Sequence, residues 1–203
     1  MNKMFNAGLL QRFFLAAILV GASGASSAVT LVGSTTYGGH TYELYSASAG
    51  VTWLDARTAA LAAGGDLASL TSAAEIAAVT GGLNFSGLFN QSGLGPWVGA
   101  YSAGTDQLFY WLDGSLITAG QNGFSWGTSQ PDWLEGGGAM GVLFFPNLTT
   151  FGDYGQTCGA NANLLCRVDP VLAFLVEKVP EPGSLALLGL GLLGLGLTRR
   201  KAA

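Results

Sequence analysis

The sequence predicts an α+β domain in which two helices come early and most of the strands come late. Two helix-forming segments lie close together in the first half, and short apolar strand patterns follow them. A glycine-rich stretch without periodicity interrupts the later strands. The chain has 203 residues, enough for one ordinary domain and too short for two large ones. We expect this domain to extend from Val29 to Lys178, between an N-terminal and a C-terminal targeting segment.

An alternating segment at 38–45 predicts the first strand of the domain. His40 and Tyr42 point to one side of this segment, and Thr41 and Glu43 point to the other. His40 is the only histidine in the chain. We expect it to pack or cap within the strand rather than to take part in chemistry.

The first helix is predicted to run from Trp53 to Ala63. Thr52 and Asp55 form a capping-box-like start, and the alanine-rich run that follows is a good helix former. Its apolar stripe consists of small residues apart from Trp53, so the helix can pack closely. Gly64-Gly65 is typical of a helix C-cap.

A second helix is predicted to begin after Ser72 and to end at about Thr80. Ser72 and Glu75 form another capping box, and Gly81-Gly82 is expected to stop the helix. Since Asp55 and Glu75 both have structural roles in this interpretation, neither is assigned to catalysis.

The rest of the domain is predicted to be strands joined by long loops. A loop rich in Gly, Ser and Asn fills 83–95, and the segment 120–138 holds six glycines and no periodicity. The tryptophans Trp126 and Trp133 in that segment favour a functional loop over a disordered one. The late strands are expected to form an antiparallel sheet; they are predicted at 97–101, 108–112, 140–145 and 171–177.

Composition and charge exclude several classes of function. Charged residues make up 10% of the chain and the net charge is −4. No basic run lies outside the two ends, which argues against a nucleic-acid partner, because phosphate neutralisation requires Lys and Arg. A single histidine excludes multi-histidine metal sites. Between Val29 and Lys178 there are 11 acids and 3 bases, so the domain itself carries −8.

The N-terminal residues 1–28 read as a secretory signal peptide. Lys3 and Arg12 supply a positive segment, an apolar run from Phe13 to Gly21 follows, and small residues lead to a cleavage site after Ala28. We expect signal peptidase to remove this segment. The alternative is an anchor helix that is not cleaved.

The C-terminal segment 179–203 has three parts that together carry a specific signal. Val179-Pro180-Glu181-Pro182 precedes an apolar stretch from Leu185 to Leu197, and Arg199-Arg200-Lys201 follows. Thirteen apolar residues rise only about 20 Å as a helix, short of the ~30 Å hydrocarbon core of a bilayer. The segment resembles the PEP-CTERM sorting signal of Gram-negative bacteria. The alternative is a plain tail anchor.

The PEP-CTERM resemblance implies a route out of the cell. It implies transient insertion of the C-terminal helix into the inner membrane, handling by an exosortase and removal of the tail. It also implies a final location at the cell surface or in the extracellular matrix of a polysaccharide-producing organism. Because exported proteins meet oxidising conditions, we expect Cys158 and Cys166 to form a disulfide. A reduced pair or a metal site is the weaker alternative, since no second pair of ligands is nearby.

The middle of the chain resembles a C-type lectin-like domain across most of residues 38–177. This resemblance implies the corresponding α+β fold, with two early helices, an antiparallel sheet and a long irregular loop region. The matching pieces occur in the family's order and are His40-Thr41-Tyr42, Thr52-Trp53-Leu54-Asp55-Ala56-Arg57, Gly64-Gly65-Asp66-Leu67-Ala68-Ser69-Leu70, Ser72 to Ile76, Trp97-Val98-Gly99, Tyr110-Trp111-Leu112-Asp113-Gly114, Phe124-Ser125-Trp126, Gln130-Pro131-Asp132 and Phe174-Leu175-Val176-Glu177.

The same resemblance implies a candidate calcium site in the long loop. Gln130 and Asp132 flank Pro131, which the family holds in the cis form, and their oxygens would bind calcium and a sugar. Gln-Pro-Asp is the family's galactose-type variant. Trp133 would stack on the apolar face of the sugar, and Asp153 matches the acid of the family's later ligand strand.

The chain departs from the family pattern at two of these positions. Gly138 stands where a later Glu ligand is expected, so Glu135 is the nearest substitute, and Gly152 replaces the Asn before Asp153. The two family disulfides are also missing, so the Cys158–Cys166 pair would be a local replacement. An incomplete ligand set predicts calcium binding that is weak or lost.

The sequence therefore predicts an exported, surface- or matrix-associated binding module that recognises a glycan or exopolysaccharide. The alternative is a structural or adhesive matrix protein that uses the lectin-like fold as a scaffold without a calcium site. We expect no enzyme, since no nucleophile elbow or metalloprotease motif is present. Asp132 and Asp153 remain the one carboxylate pair with glycosidase chemistry.

Overall fold

The computed structural model describes residues 28–104, 107–133, 139–158 and 170–180. Within these residues it has two helices and eight strands, which confirms the α+β prediction. The elements are β1 (Val29–Tyr37), β2 (His40–Ala47), α1 (Trp53–Ala62), β3 (Asp66–Leu67), α2 (Ala73–Gly82), β4 (Trp97–Ser102), β5 (Tyr110–Trp111), β6 (Met140–Phe144), β7 (Phe151–Gly155) and β8 (Ala173–Lys178).

All eight strands belong to one sheet. Its order is β1-β2-β8-β4-β6-β7, with β3 paired to β8 and β5 paired to β4. Most neighbours are antiparallel, as predicted, but β4 and β8 are parallel where Trp97 meets Phe174. The last strand is inserted between two strands that precede it in the chain, so no tight turn dictates its direction. The sheet is therefore mixed rather than purely antiparallel.

The first strand of the sheet was not predicted. β1 pairs with β2 through a two-residue turn at Gly38 and Gly39, whose φ angles are 60° and 88°, a left-handed conformation that glycine adopts without strain. The strand predicted at 38–45 therefore begins two residues later, at His40. β1 was missed because most of its side chains are exposed and so carry no alternating pattern.

The helix starts are as predicted, but the second helix ends later. The Thr52 side chain accepts a hydrogen bond from the backbone N–H of Asp55, and the Ser72 side chain accepts one from that of Glu75, as N-caps do. α2 continues through Gly81 and Gly82 instead of stopping at Thr80. A Cβ on Gly82 would lie 2.4 Å from Thr35 Oγ1, so the absence of a side chain lets the last turn pack against β1.

The core lies on both faces of the sheet. One cluster includes Ile76 and Val79 of α2 together with Tyr42 and Leu175. The other includes Trp53, Ala56 and Ala60 of α1, which is the predicted small-residue stripe, against residues such as Phe174 and Val176. Alternate residues of β8 thus enter opposite clusters, which explains why this strand is apolar along most of its length.

Within the described residues, no helix is long and apolar enough to span a membrane. The predicted signal peptide and the apolar stretch from Leu185 to Leu197 lie outside those residues.

Two glycine substitutions should have opposite effects on stability. Gly99→Ala would place a Cβ 2.2 Å from the carbonyl oxygen of Leu67, so we expect a loss of about 1–3 kcal/mol in the free energy of unfolding. Gly81→Ala meets nothing within 4 Å and should stabilise α2 by about 0.5–1 kcal/mol. Urea unfolding of both variants measures the difference, and equal effects would contradict the packing described for β4.

Candidate functional site

The long loop between β5 and β6 is fixed along the outer edge of β7. Gly127 N–H donates to the carbonyl of Phe151 over 2.8 Å, and Phe151 N–H donates to the carbonyl of Ser125 over 2.9 Å. Trp126 and Phe151 form a parallel bridge. The irregular segment therefore behaves as an additional edge of the sheet, although its sequence has no strand pattern.

Aromatic packing holds this loop against the core. The rings of Phe124 and Phe151 stack with centroids 4.4 Å apart, and Phe109 lies 4.8 Å from Trp126 and 4.9 Å from Trp133. Trp133 is half-buried. The predicted sugar-stacking ring is thus also a packing residue, which fixes its orientation before any ligand arrives.

The peptide bond between Gln130 and Pro131 is cis, as the resemblance implied. The Gln130 side chain makes two hydrogen bonds from this turn. Its Oε1 accepts from the backbone N–H of Asp153 over 2.9 Å, and its Nε2 donates to Asp132 Oδ2 over 3.0 Å. Gln130 therefore bonds both to Asp153 of β7 and to Asp132 within the loop.

Asp153 completes the link from the side of the sheet. This side chain is buried, with 4% of its surface exposed. Its Oδ1 accepts from the backbone N–H of Asp132 over 2.9 Å, and its Oδ2 accepts from the backbone N–H of Trp133 over 3.1 Å. Burial raises the pKa of Asp153 above its usual range even though these N–H donors oppose the shift.

Three of the four predicted ligands therefore lie together. Gln130, Asp132 and Asp153 form one hydrogen-bonded group, which we call the loop network. Glu135 lies outside the described residues, so its place relative to this group is not described. Of the predicted disulfide, Cys158 is fully buried and disulfide-bonded, whereas Cys166 lies outside the described residues.

The loop network does not fit a calcium ion in this arrangement. Calcium takes six to eight oxygen ligands, but Gln130 Oε1 and both oxygens of Asp153 already accept backbone N–H groups, and Asp132 Oδ2 accepts from Gln130. A calcium ion would have to displace or share most of these bonds. In the ranges that the structure describes, no three His, Cys, Asp or Glu side chains are grouped as a metal site would require.

A second polar cluster, not assigned from the sequence, joins β2, β8 and α2. His40 Nδ1 lies 2.5 Å from Glu177 Oε1, and Tyr42 donates from its hydroxyl to Glu75. The second oxygen of Glu177 accepts from Ser69 N–H, and that of Glu75 accepts from Thr71 N–H. The cluster lines a cavity of about 440 Å³.

Hydrogen bonds within the chain hold the members of this cluster together. Burial, together with the hydrogen bond to Glu75, raises the pKa of Tyr42, so its hydroxyl remains a donor. Glu75 is only 6% exposed, and each of its oxygens has a donor. His40, predicted to pack or cap within its strand, pairs instead with Glu177 of the neighbouring strand β8 and stays partly exposed, and the structural role assigned to Glu75 stays a prediction. What the sequence did not reveal is that they share one cluster, since they lie on separate elements.

The fold resembles solved lectin domains. The chain superposes on the cow CD23 C-type carbohydrate-recognition domain, solved in the presence of an oligosaccharide, with a TM-score of 0.51, 16% identity and coverage of 73% of this chain and 95% of that one. The domain has the C-type lectin-like fold.

Other solved structures are similar at slightly lower scores. The C-type lectin domain of murine dendritic cell inhibitory receptor 2, in complex with N-glycan, matches with 17% identity, a TM-score of 0.49 and coverage of 72% of this chain and 95% of that chain. A calcium-independent type II antifreeze protein matches with 18% identity, a TM-score of 0.49 and coverage of 75% and 96%. No curated protein matches this lectin-like chain.

The C-terminal signal is also identified. Residues 178–201 match the PEP-CTERM protein-sorting motif, which confirms that part of the sequence prediction and begins one residue earlier than expected. This motif marks the lectin-like chain for export and surface sorting in Gram-negative bacteria.

The raised pKa of Asp153 predicts a pH dependence of stability. Because folding favours the protonated carboxyl, its contribution to the free energy of unfolding should fall as the pH rises from below the ordinary aspartate pKa of about 4 through the higher folded value. Asp153→Asn cannot titrate. We therefore expect the stability of the wild type relative to Asp153→Asn to decrease between acidic and neutral pH in urea unfolding. A difference that stays constant or increases would contradict the burial of an ionisable Asp153.

Proposed function

We propose that this chain is an exported module of the cell surface or extracellular matrix that recognises carbohydrate without depending on calcium. The loop network carries the proposal. In it, the Asp153 carboxylate accepts the backbone N–H groups of Asp132 and Trp133, and the Gln130 side chain bonds to Asp153 N–H and to Asp132, so that hydrogen bonds within the chain hold the loop. The fold and the sorting motif support a binding role outside the cell.

The chemistry of the loop suits a sugar. A sugar offers hydroxyl groups to carboxylates and amides and a flat apolar face to aromatic rings. Asp132 and Trp133 are consecutive and each is half-buried, so both present part of their surface to solvent at one point. Their backbone N–H groups are bonded to Asp153, which reduces the entropy lost on binding.

Export supplies the partners of the proposed function. The predicted signal peptide would be removed by signal peptidase, and the C-terminal helix would enter the inner membrane transiently before an exosortase acts on it. The released or anchored domain would then meet glycans or the producer's own exopolysaccharide. Its charge of −8 between Val29 and Lys178 makes a neutral glycan a more favourable ligand than a strongly acidic one.

A structural or adhesive matrix role without sugar binding is the second candidate. The observation that favours it is the packing of Trp133 against Phe109, which uses part of the ring that would stack on a sugar. The burial of Asp153, whose two oxygens accept backbone N–H groups, favours either binding role over a glycosidase. Retention on immobilised sugars distinguishes carbohydrate recognition from the structural or adhesive role.

Calcium should have little effect on stability. We expect the full-length chain to melt at the same temperature in excess calcium chloride and in EDTA, because hydrogen bonds within the chain order the loop. Differential scanning calorimetry measures both. A melting temperature that rises by several degrees with calcium would correspond to preferential binding by the folded state and would contradict calcium independence.

Sugar retention should depend on Asp132 and Trp133. In EDTA, we expect Asp132→Asn to weaken retention at least about tenfold, since a hydrogen bond to a charged group contributes about 1.5–3 kcal/mol, and Trp133→Ala to weaken it at least as much. Leu54→Ala, an exposed apolar position on α1, is the matched control.

The probes are immobilised galactose conjugates, mannose conjugates and the producer's exopolysaccharide. Equal retention of all three variants would contradict the assignment of the loop as the sugar site. Failure of the wild type to bind any probe would favour the structural role.

A further inference from the structure

Phe145 follows β6 directly and lies beside the loop network, outside the core. It is half-buried. Among the described residues it belongs to neither core cluster, nor to the half-buried apolar residues that pack against those clusters. Core packing therefore does not explain why an aromatic ring stands at this position.

Two glycines make room for the Phe145 ring. A Cβ on Gly127 of the long loop would lie 2.5 Å from Phe145 Cε2, and a Cβ on Gly152 of β7 would lie 2.8 Å from Phe145 Cζ. A side chain at either position would displace the ring. The ring thus rests on bare backbone close to where Gly127 N–H bonds to the carbonyl of Phe151, so the loop and the sheet together fix its position.

The ring lies next to polar groups of the loop network. The same Cβ on Gly152 would lie 3.3 Å from Gln130 Oε1, so the ring and the Gln130 amide meet over this glycine. Gln130 Nε2 carries two N–H groups. One of them donates to Asp132 Oδ2, and the other has no partner among the described residues. Phe145 therefore places an apolar ring beside an amide donor and a carboxylate.

The Phe145 ring and Trp133 lie on opposite sides of β7. Successive side chains of a strand point to opposite faces, so a side chain at Gly152 would point away from that of Asp153. Phe145 lies on the side of Gly152, whereas Trp133 is bonded to Asp153 and packs against the core. One sugar ring can stack on either aromatic residue but not on both. A chain of sugars that crosses the edge at Gln130 can contact both.

We propose that Phe145 is a second sugar-stacking ring and that the site takes a neutral glycan chain rather than a single sugar. The inference rests on the proposed carbohydrate recognition and specifies its ligand. Aromatic rings beside amide and carboxylate groups match the apolar faces and hydroxyl groups of sugars. The segment 144–152, which carries the ring, has no charged residue, and the domain's charge of −8 between Val29 and Lys178 disfavours an acidic chain.

Retention of the full-length chain on immobilised sugars in EDTA tests this proposal. Galactose and mannose conjugates are the single-sugar probes, and neutral oligosaccharides from the producer's exopolysaccharide are the chain probes. We expect the wild type to bind the chain probes more strongly. Phe145→Ala should weaken retention on the chain probes about tenfold, because a ring contact is lost. It should change retention on single sugars by less than about twofold, because a single sugar binds at Asp132 and Trp133.

Phe89→Ala is the matched control. Phe89 is also half-buried, and it also lies where a glycine, Gly95, leaves room for a ring, so its loss should leave retention unchanged. Phe145→Tyr keeps the ring and should bind the chain probes as the wild type does. Phe145→Leu keeps an apolar side chain without a flat ring and should bind them as weakly as Phe145→Ala. A purely packing role would not separate these two variants.

Circular dichroism shows whether each variant is folded, and should Phe145→Ala fail to fold, the comparison of Phe145→Tyr with Phe145→Leu replaces it. Equal retention on the chain probes by the wild type and the folded variants without a ring would overturn the role of Phe145 and leave the loop network as the sugar site. A wild type that binds single sugars as strongly as chains would overturn the chain ligand. A wild type that binds no probe would contradict carbohydrate recognition itself, and this inference with it.

Discussion

The carboxylate of Asp153 is the joint between the sheet and the long loop. It extends from β7, is buried, and accepts the backbone N–H groups of Asp132 and Trp133. The side chain of Gln130 forms a second bond between the loop and β7, because its Oε1 accepts the backbone N–H of Asp153. A buried carboxylate without donors would be strongly destabilising, so each side of this joint requires the other. It fixes the backbone at Asp132 and Trp133, while aromatic packing orients the Trp133 ring and backbone bonds at Phe151 hold the earlier part of the loop.

This joint explains how a lectin-like loop can be ordered by the chain itself. Where a metal ion orders a loop, several oxygens must converge on it with few competing donors. Here the same residue types converge, but their side-chain oxygens accept hydrogen bonds from backbone N–H groups and from an amide N–H. In the proposed calcium-independent role, these internal hydrogen bonds keep the turn preorganised. Such a loop would stay ordered in surroundings where free calcium varies, as it does outside a cell.

The sequence predicted local structure well and tertiary relations poorly. The caps at Thr52 and Ser72 were correct because capping depends on residues three apart. β1 was missed because its exposure pattern has no period, and the second helix was ended too early because its extension depends on a contact between Gly82 and Thr35. The grouping of Gln130, Asp132 and Asp153 came from the family resemblance. No spacing rule indicates that Asp153 accepts backbone N–H groups, since that depends on how the loop lies against β7.

Amide hydrogen exchange at Asp132 and Trp133 tests the central role of this joint most directly. Their N–H groups are bonded to the buried carboxylate of Asp153, so NMR of the full-length chain in EDTA should show slow exchange at both positions. Addition of calcium should leave those rates unchanged. Rapid exchange in EDTA that becomes slow when calcium is added would show that an ion orders the loop, and it would contradict this account.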